Sequence, residues 1–511
     1  MRKLTKIVST PASLPAPVGG WNARDSLGEM PPLDAVYLTN MFPKTTEVML
    51  RRGYTEHATG LPDQVETLME YAGASADKLF AISDGEIYDV SSAGAVGAPA
   101  VTGLTNSRWQ YVNVGTTANN YLMLVNGVDK ARFYTGSAWA KDGDGAPYDI
   151  TGVDSADCIQ INMFKNRVWL VEDGTLNAWY LPTGQIGGSA TKFPLNGVAS
   201  MGGYLMAMAT WTIDAGQGMD DYAVFVTSKG QLIMYKGTDP SSVNTFALVG
   251  VWVLGAPVGR RCFINLGGDV LLICQDGVLP ISGILQSSRV NPRVALTDKI
   301  QWAVSEAIST YGANFGWQLL YYPESNILFL NVPVDSGMQQ QYAMNTISKS
   351  WCNFTGWHAN CWSLFNDQPY FGGDGFVGHA WNGSTDAGDD IQGDGKQAFN
   401  YFKMPGVLKR WTMMRPILST NGTPAVQANV NVDFDDTPPS APISFSSVSY
   451  GLWDAGLWDA ATWGSDDVIQ KNWQGVTGLG YCASVRILIN AQGINVNWIS
   501  TDTVFEKGAI L

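Results

Sequence analysis

Charge is what this chain has least of. Only 15% of its 511 residues are Asp, Glu, Lys or Arg, against about a quarter in an ordinary soluble domain. Histidine is rarer still, at His57, His358 and His379. A Ser-His-Asp device needs an imidazole beside a nucleophile, and no Gly-x-Ser-x-Gly elbow accompanies these three. Cys158, Cys262, Cys274, Cys352, Cys361 and Cys482 are spread along the chain. That is too dilute for a disulfide scaffold, so they read as reduced core residues. No run of 18 apolar residues exists, and no transmembrane helix is expected. Arg2, Lys3 and Lys6 lead into a Pro-rich stretch, residues 9–17, and not into the apolar run of a signal peptide. The formal charge of −14 and pI near 4.6 argue against a protein that grips nucleic acid, which needs clustered Lys and Arg. They are compatible with a channel wall along which DNA slides.

Glycine and tryptophan are plentiful, at 56 and 19 residues. Many turns and many aromatics suit short strands. A hairpin unit recurs: an apolar strand, a tight Gly turn, then a strand ending in aromatics. It is seen as Leu79–Ile82, Asp84-Gly85, Ile87-Tyr88, and again as Val168–Val171, Asp173-Gly174, Trp179-Tyr180. Asn-Gly and Asp-Gly between apolar runs signal a hairpin, because a type I′ turn needs positive φ at both central residues. Glycines 85, 127, 174, 230, 277, 337 and 375 mark the turns at intervals of 38 to 60 residues. A four-stranded propeller blade takes roughly 40–50. The reading is an all-β chain with a β-propeller of about seven blades over residues 66–384. Plain hairpins in a sandwich or jelly roll are the rival. Thr297-Asp298 opens an apparent helix near 297–311, with Ile300, Val304 and Ile308 on one face.

The remaining segments are 1–65, a Pro-rich arm; 385–395, an acidic Gly-rich linker; and 396–511, strand-like around 410–418, 426–434 and 484–498. A second β domain, a platform built from the N- and C-terminal segments, is expected there. Its tail holds the tandem Gly451–Ala455 and Gly456–Ala460, then Trp463.

Metal and catalytic readings are weaker. Cys352, His358 and Cys361 match no zinc-finger spacing. The acidic turns around Asp142 and Asp144, and around Asp389, Asp390 and Asp394, lack the terminal Glu of a calcium loop. Paired glycosidase carboxylates cannot be picked out by spacing. No enzyme activity, metal or cofactor is expected.

Gly19–Ser26, Met30-Pro31-Pro32 with Asp34-Ala35, Asn40–Pro43, Arg51–Tyr54, the block 451–464 and Trp498–Asp502 together resemble tail nozzle (tail hub, packaged-DNA stabilisation) proteins of short-tailed bacteriophages. That resemblance implies a structural virion protein made in the host cytoplasm, a hexameric ring below the portal and adaptor rings, and contacts with tail fibres or spikes. It also implies genomic DNA held back before infection and then passed through the lumen without sequence-specific binding. The alternative is a phage receptor- or glycan-binding propeller, and behind it a propeller hydrolase. On the ring reading, Asp142, Asp144, Asp389, Asp390 and Asp394 are candidates for the channel lining. Trp21, Phe42, Tyr54, Trp453, Trp458 and Trp463 are candidates for subunit interfaces, where aromatics concentrate.

Overall fold

The computed structural model describes residues 9–214, 219–285, 294–335, 337–440, 442–444 and 467–508. They divide into two units, one of residues 56–340 and 358–379, the other of 1–55, 341–357 and 380–511.

The first unit is a β-propeller. Its local building block is the tight hairpin. Asp84 and Gly85 have φ of 49° and 69°, both positive as a type I′ turn requires, and they join Lys78–Ser83 to Glu86–Asp89. Two more such turns were not legible as Gly dipeptides: Lys165-Asn166 (φ 49° and 57°) and Asn366-Asp367 (51° and 60°).

Seven blades are present among the described residues. Blade 1 is the second half of Tyr54–Tyr71 with Lys78–Ser83 and Glu86–Asp89. Blade 2 holds Gln110–Gly115, Asn120–Val125, Arg132–Tyr134 and Trp139–Lys141. Blade 3 holds Cys158–Phe164, Arg167–Glu172, Asn177–Tyr180 and Thr191–Pro194. Blade 4 holds Leu205–Asp214, Met219–Thr227, Gln231–Gly237 and Phe246–Val253. Blade 5 has three strands, Phe263–Leu266, Asp269–Cys274 and Gly277–Pro280. Blade 6 starts with Gln318–Tyr322 and Ile327–Pro333, and the chain leaves the unit within the next strand, Gln339–Asn345. Blade 7 is Cys361–Phe365, Gln368–Gly372 and Asp374–Ala380. Its fourth strand is the first half of Tyr54–Tyr71. One 18-residue strand therefore serves two blades, outermost in the last and innermost in the first, and so closes the ring. The helix Gln301–Tyr311 lies between blades 5 and 6 and buries Val304, Ala307 and Ile308.

Blades adhere through their faces. Between blades 3 and 4, Trp169 is fully buried, with ring centroids of Tyr180, Phe193, Phe225 and Phe246 5.1–6.1 Å away. Blades 1 and 2 share Phe80, Trp109, Leu122, Leu124 and Tyr134.

The second unit is a β-sandwich-like platform whose strands come from both chain ends. Ser9–Pro15 pairs antiparallel with the end of Val496–Lys507, in register from Ser9↔Glu506 to Pro15↔Ser500. That C-terminal strand pairs in turn with Lys409–Thr420. The other sheet runs Asp34–Thr39, Ile391–Gln397, Ala483–Ala491, Ala425–Val432. Residues 341–357, placed in the propeller by sequence, group here instead. Their strand Trp351–Phe354 abuts Asp34–Thr39 at Asn353↔Thr39, and Phe354 packs on Phe42.

The supposed linker 385–395 needs correction: Ile391–Gln397 is a central strand of that sheet. Its glycines are packing devices. A Cβ on Gly395 would stand 2.9 Å from Met41 Sδ and 3.2 Å from Trp498 Cζ3, so only a bare backbone lets the two sheets close at this point.

Candidate functional site

Two of the quoted segments, Asn40–Pro43 and Arg51–Tyr54, meet around one buried cation. Arg51 is 1% exposed at its side chain. Its five N–H donors reach five acceptors: Asn40 Oδ1 (2.9 Å), the carbonyls of Arg52 (3.0 Å) and Thr355 (2.7 Å), and both carboxylate oxygens of Asp386 (2.7 and 2.5 Å). Trp357 lies against the guanidinium at 4.8 Å and donates its indole N–H to Asp386. Gly53 is required two residues on, since a Cβ there would fall 1.7 Å from the Thr385 carbonyl oxygen. The Asn-x-Phe-Pro and Arg-x-Gly-Tyr patterns are thus the two halves of one structural knot.

The candidate channel acids separate. Asp142 must be withdrawn. It is buried (6% exposed), because the residues that follow bring the Ile150 amide (2.8 Å) and the Ser155 hydroxyl (2.6 Å) onto its carboxylate. Asp142→Ala should therefore cost about 1–3 kcal/mol, the penalty for orphaning two buried donors, as read in a urea melt; a loss under about 0.5 kcal/mol would place this carboxylate in solvent. Asp144 is exposed and accepts from the Lys141 amide. Asp389 is exposed, and Asp390, also exposed, accepts from Asn490. Asp394 is half-buried and neutralised by Arg486 at 2.7 Å, so it offers no free charge.

Among the aromatics, Phe42 is a core residue, 2% exposed and edge-on to Trp381 at 5.5 Å; it is withdrawn from the interface set. Trp21 is half-buried with its ring against Tyr342, and Tyr54 is half-buried with its amide donating to the Thr385 carbonyl. Trp453, Trp458 and Trp463 lie outside the described residues.

All six cysteines are buried and unpaired. Burial pushes the thiols of Cys158, Cys262, Cys274 and Cys361 up to about 12, which keeps them from forming thiolate at neutral pH. His379 stacks on Tyr370 at 4.7 Å; burial, then the neighbouring His57, holds its pKa down. Among the described residues no cluster of three His, Cys, Asp or Glu could hold a metal ion, and no helix is long and apolar enough to cross a membrane.

The propeller also holds an arginine-lined cavity that the sequence reading missed. Arg108 precedes blade 2; Arg260 and Arg261 precede blade 5; Phe315 precedes blade 6. They line one cavity of about 400 Å³. Arg261 reaches Thr67 Oγ1 of blade 1 at 2.8 Å, and the carbonyls of Glu66 and Trp109, both at 3.1 Å. Arg260 reaches toward the Asn126 carbonyl of blade 2 at 3.4 Å. Blades three places apart in a ring of seven meet only across its centre, so the cavity caps the propeller axis. Arg108 and Arg261 both contact the Phe315 ring, at 4.6 and 5.1 Å. Burial draws the Arg261 pKa below its ordinary range. The one advance signal was the adjacent pair Arg260-Arg261 in a chain so poor in charge.

No family model and no curated protein matches this chain. Similar solved structures include BBS1N in complex with ARL6DN (9% identity, 64% of this chain and 97% of that chain covered, TM-score 0.39) and YCF48 bound to D1 peptide (11%, 69% and 99%, 0.36). A third is the β-propeller domain of Cps50 (Swd1) from Myceliophteria thermophila (8%, 62% and 98%, 0.37). At these scores they bear on no function, and the propeller rests on the sheet pairing itself.

Proposed function

We propose that this chain is a structural subunit of a bacteriophage tail nozzle, a ring that retains packaged DNA and conducts it during ejection. The observation that carries the reading is the Arg51 knot. Residues quoted for the resemblance, Asn40 and Arg51, lock together with Asp386, and Pro15 to Ser9 pairs with the strand that holds Trp498–Asp502. That these quoted residues lie within one platform supports the reading. Low charge and abundant aromatics suit a subunit with large lateral contacts. A closed ring would use heterologous, head-to-tail contacts. In this reading the chain is a virion component, meeting copies of itself, an adaptor ring and fibres or spikes. DNA in the lumen would face repulsion from exposed acids, with Asp144, Asp389 and Asp390 the remaining candidates; such repulsion is screened over about 8 Å at physiological salt.

The expected stoichiometry is six copies per virion, visible as six-fold symmetry in electron micrographs of the tail and in quantitative gel densitometry. One or three copies would overturn the nozzle assignment. A second reading, a propeller that binds a cell-surface glycan, is favoured by the axial cavity.

A further inference from the structure

We infer that the axial cavity of the propeller is a binding site for a small hydroxylated oxyanion, a sugar acid or a sugar phosphate. The inference does not rest on the nozzle reading. It starts from charge. The chain carries −14 overall, yet the cavity lining brings together Arg108, Arg260 and Arg261 against a single carboxylate, Asp173. Concentrating like charge at one point is unfavourable unless something offsets it, and the protein offsets it only in part.

The donors are incompletely used. Arg108 gives its Nε–H to Glu66 at 2.9 Å, and its two terminal nitrogens have no protein acceptor among the described residues. Among the described residues Arg260 has only the 3.4 Å approach to Asn126 and a 3.7 Å approach to Asp173. Arg261 forms no ion pair with a carboxylate among the described residues; its acceptors are neutral oxygens. A guanidinium presents planar, paired N–H groups that match two oxygens of a carboxylate or phosphate. Arg261 spends its terminal nitrogens on Gln318, blade 1 and Trp109 and so contributes charge to the cavity wall, while Arg108 and Arg260 stand 55% and 42% exposed at the cavity mouth. Phe315, between Arg108 and Arg261, keeps both stems ordered without consuming a donor.

The second half of the ligand follows from Gln110. Gln110 lines the same cavity, and its side chain makes no hydrogen bond among the described residues. An amide both donates and accepts, which is what a sugar hydroxyl needs. A volume of about 400 Å³ lies in the range of small-molecule pockets, roughly 300–1,000 Å³. It excludes a DNA duplex.

Isothermal titration of the full chain with glucuronate, glucose 6-phosphate and glucose tests this. Glucuronate or glucose 6-phosphate should bind at one site per chain, and whichever binds more tightly identifies a carboxylate or a phosphate source. Glucose should not bind. Arg260→Gln and Arg108→Gln should each weaken binding by about tenfold, the loss of one charge-assisted contact, with circular dichroism and a thermal melt confirming that each variant is folded at the titration temperature. Gln110→Ala should weaken the sugar anions while leaving inorganic phosphate unaffected. The inference is overturned if neither anion binds, if the arginine variants bind as the parent does, or if inorganic phosphate and acetate bind as tightly as the sugars.

Discussion

Replacing Arg51 by methionine should cost the platform about 3–5 kcal/mol, the usual result of stripping one partner from a buried ion pair. The reason lies in what stays behind. Asp386, 13% exposed at its side chain, would keep the Trp357 indole as a donor but lose both guanidinium contacts. The Asn40 side-chain oxygen would keep only the Thr355 amide at 2.8 Å. The Thr355 carbonyl would lose its 2.7 Å bond. Arg51→Lys should recover little, because an ammonium has three donors and no planar fork for the two Asp386 oxygens. Arg51→Met combined with Asp386→Leu should be less damaging than the single change, since no charge is then stranded. Urea denaturation, with proteolysis to report on residues 396–508, reads all three. A loss below about 1 kcal/mol for Arg51→Met would mean that the knot is solvated and contributes only as a surface pair does.

The second large effect is expected at Trp169. Truncation to alanine removes the ring against which Tyr180, Phe193, Phe225 and Phe246 are arranged, and should cost about 3–5 kcal/mol. Trp169→Phe should cost much less, about 1 kcal/mol. The indole N–H is buried with no acceptor among the described residues, so a phenyl ring gives up volume but also removes an unsatisfied donor. The comparison isolates packing from polarity. If Trp169→Phe destabilises as much as Trp169→Ala in thermal melts, the indole nitrogen has a partner in solution, and the packing account of blades 3 and 4 fails.

The two predictions touch opposite kinds of information in the chain. Trp169 belongs to a hairpin unit whose alternation, turn residues and spacing lie within a few dozen residues, and such units announced the blades because strand period and turn chemistry are local. Glycine turns at 85 and 174 have the positive φ expected of them. Arg51 belongs to the other kind. Its partner Asp386 is 335 residues away, and nothing in the local pattern of either residue names the other. The same gap explains the strand Ile391–Gln397. Gly393, Asp394 and Gly395 are poor strand formers and read as a linker, until Met41, Leu50 and Trp498 arrive from distant segments and require a side-chain-free backbone. It explains Asp142, whose acidic turn looks solvated by composition and is buried by the loop that follows. It explains the axial cavity, too: Arg108, Arg260, Arg261 and Phe315 sit in connections between blades far apart in sequence and line one cavity only in the assembled ring. Short-range pattern can write a blade, because a blade's hydrogen bonds join neighbours in sequence. Which residues face each other across the ring or between the platform sheets depends on contacts whose loop-closure entropy is met only when the whole unit folds, and no local signal encodes them.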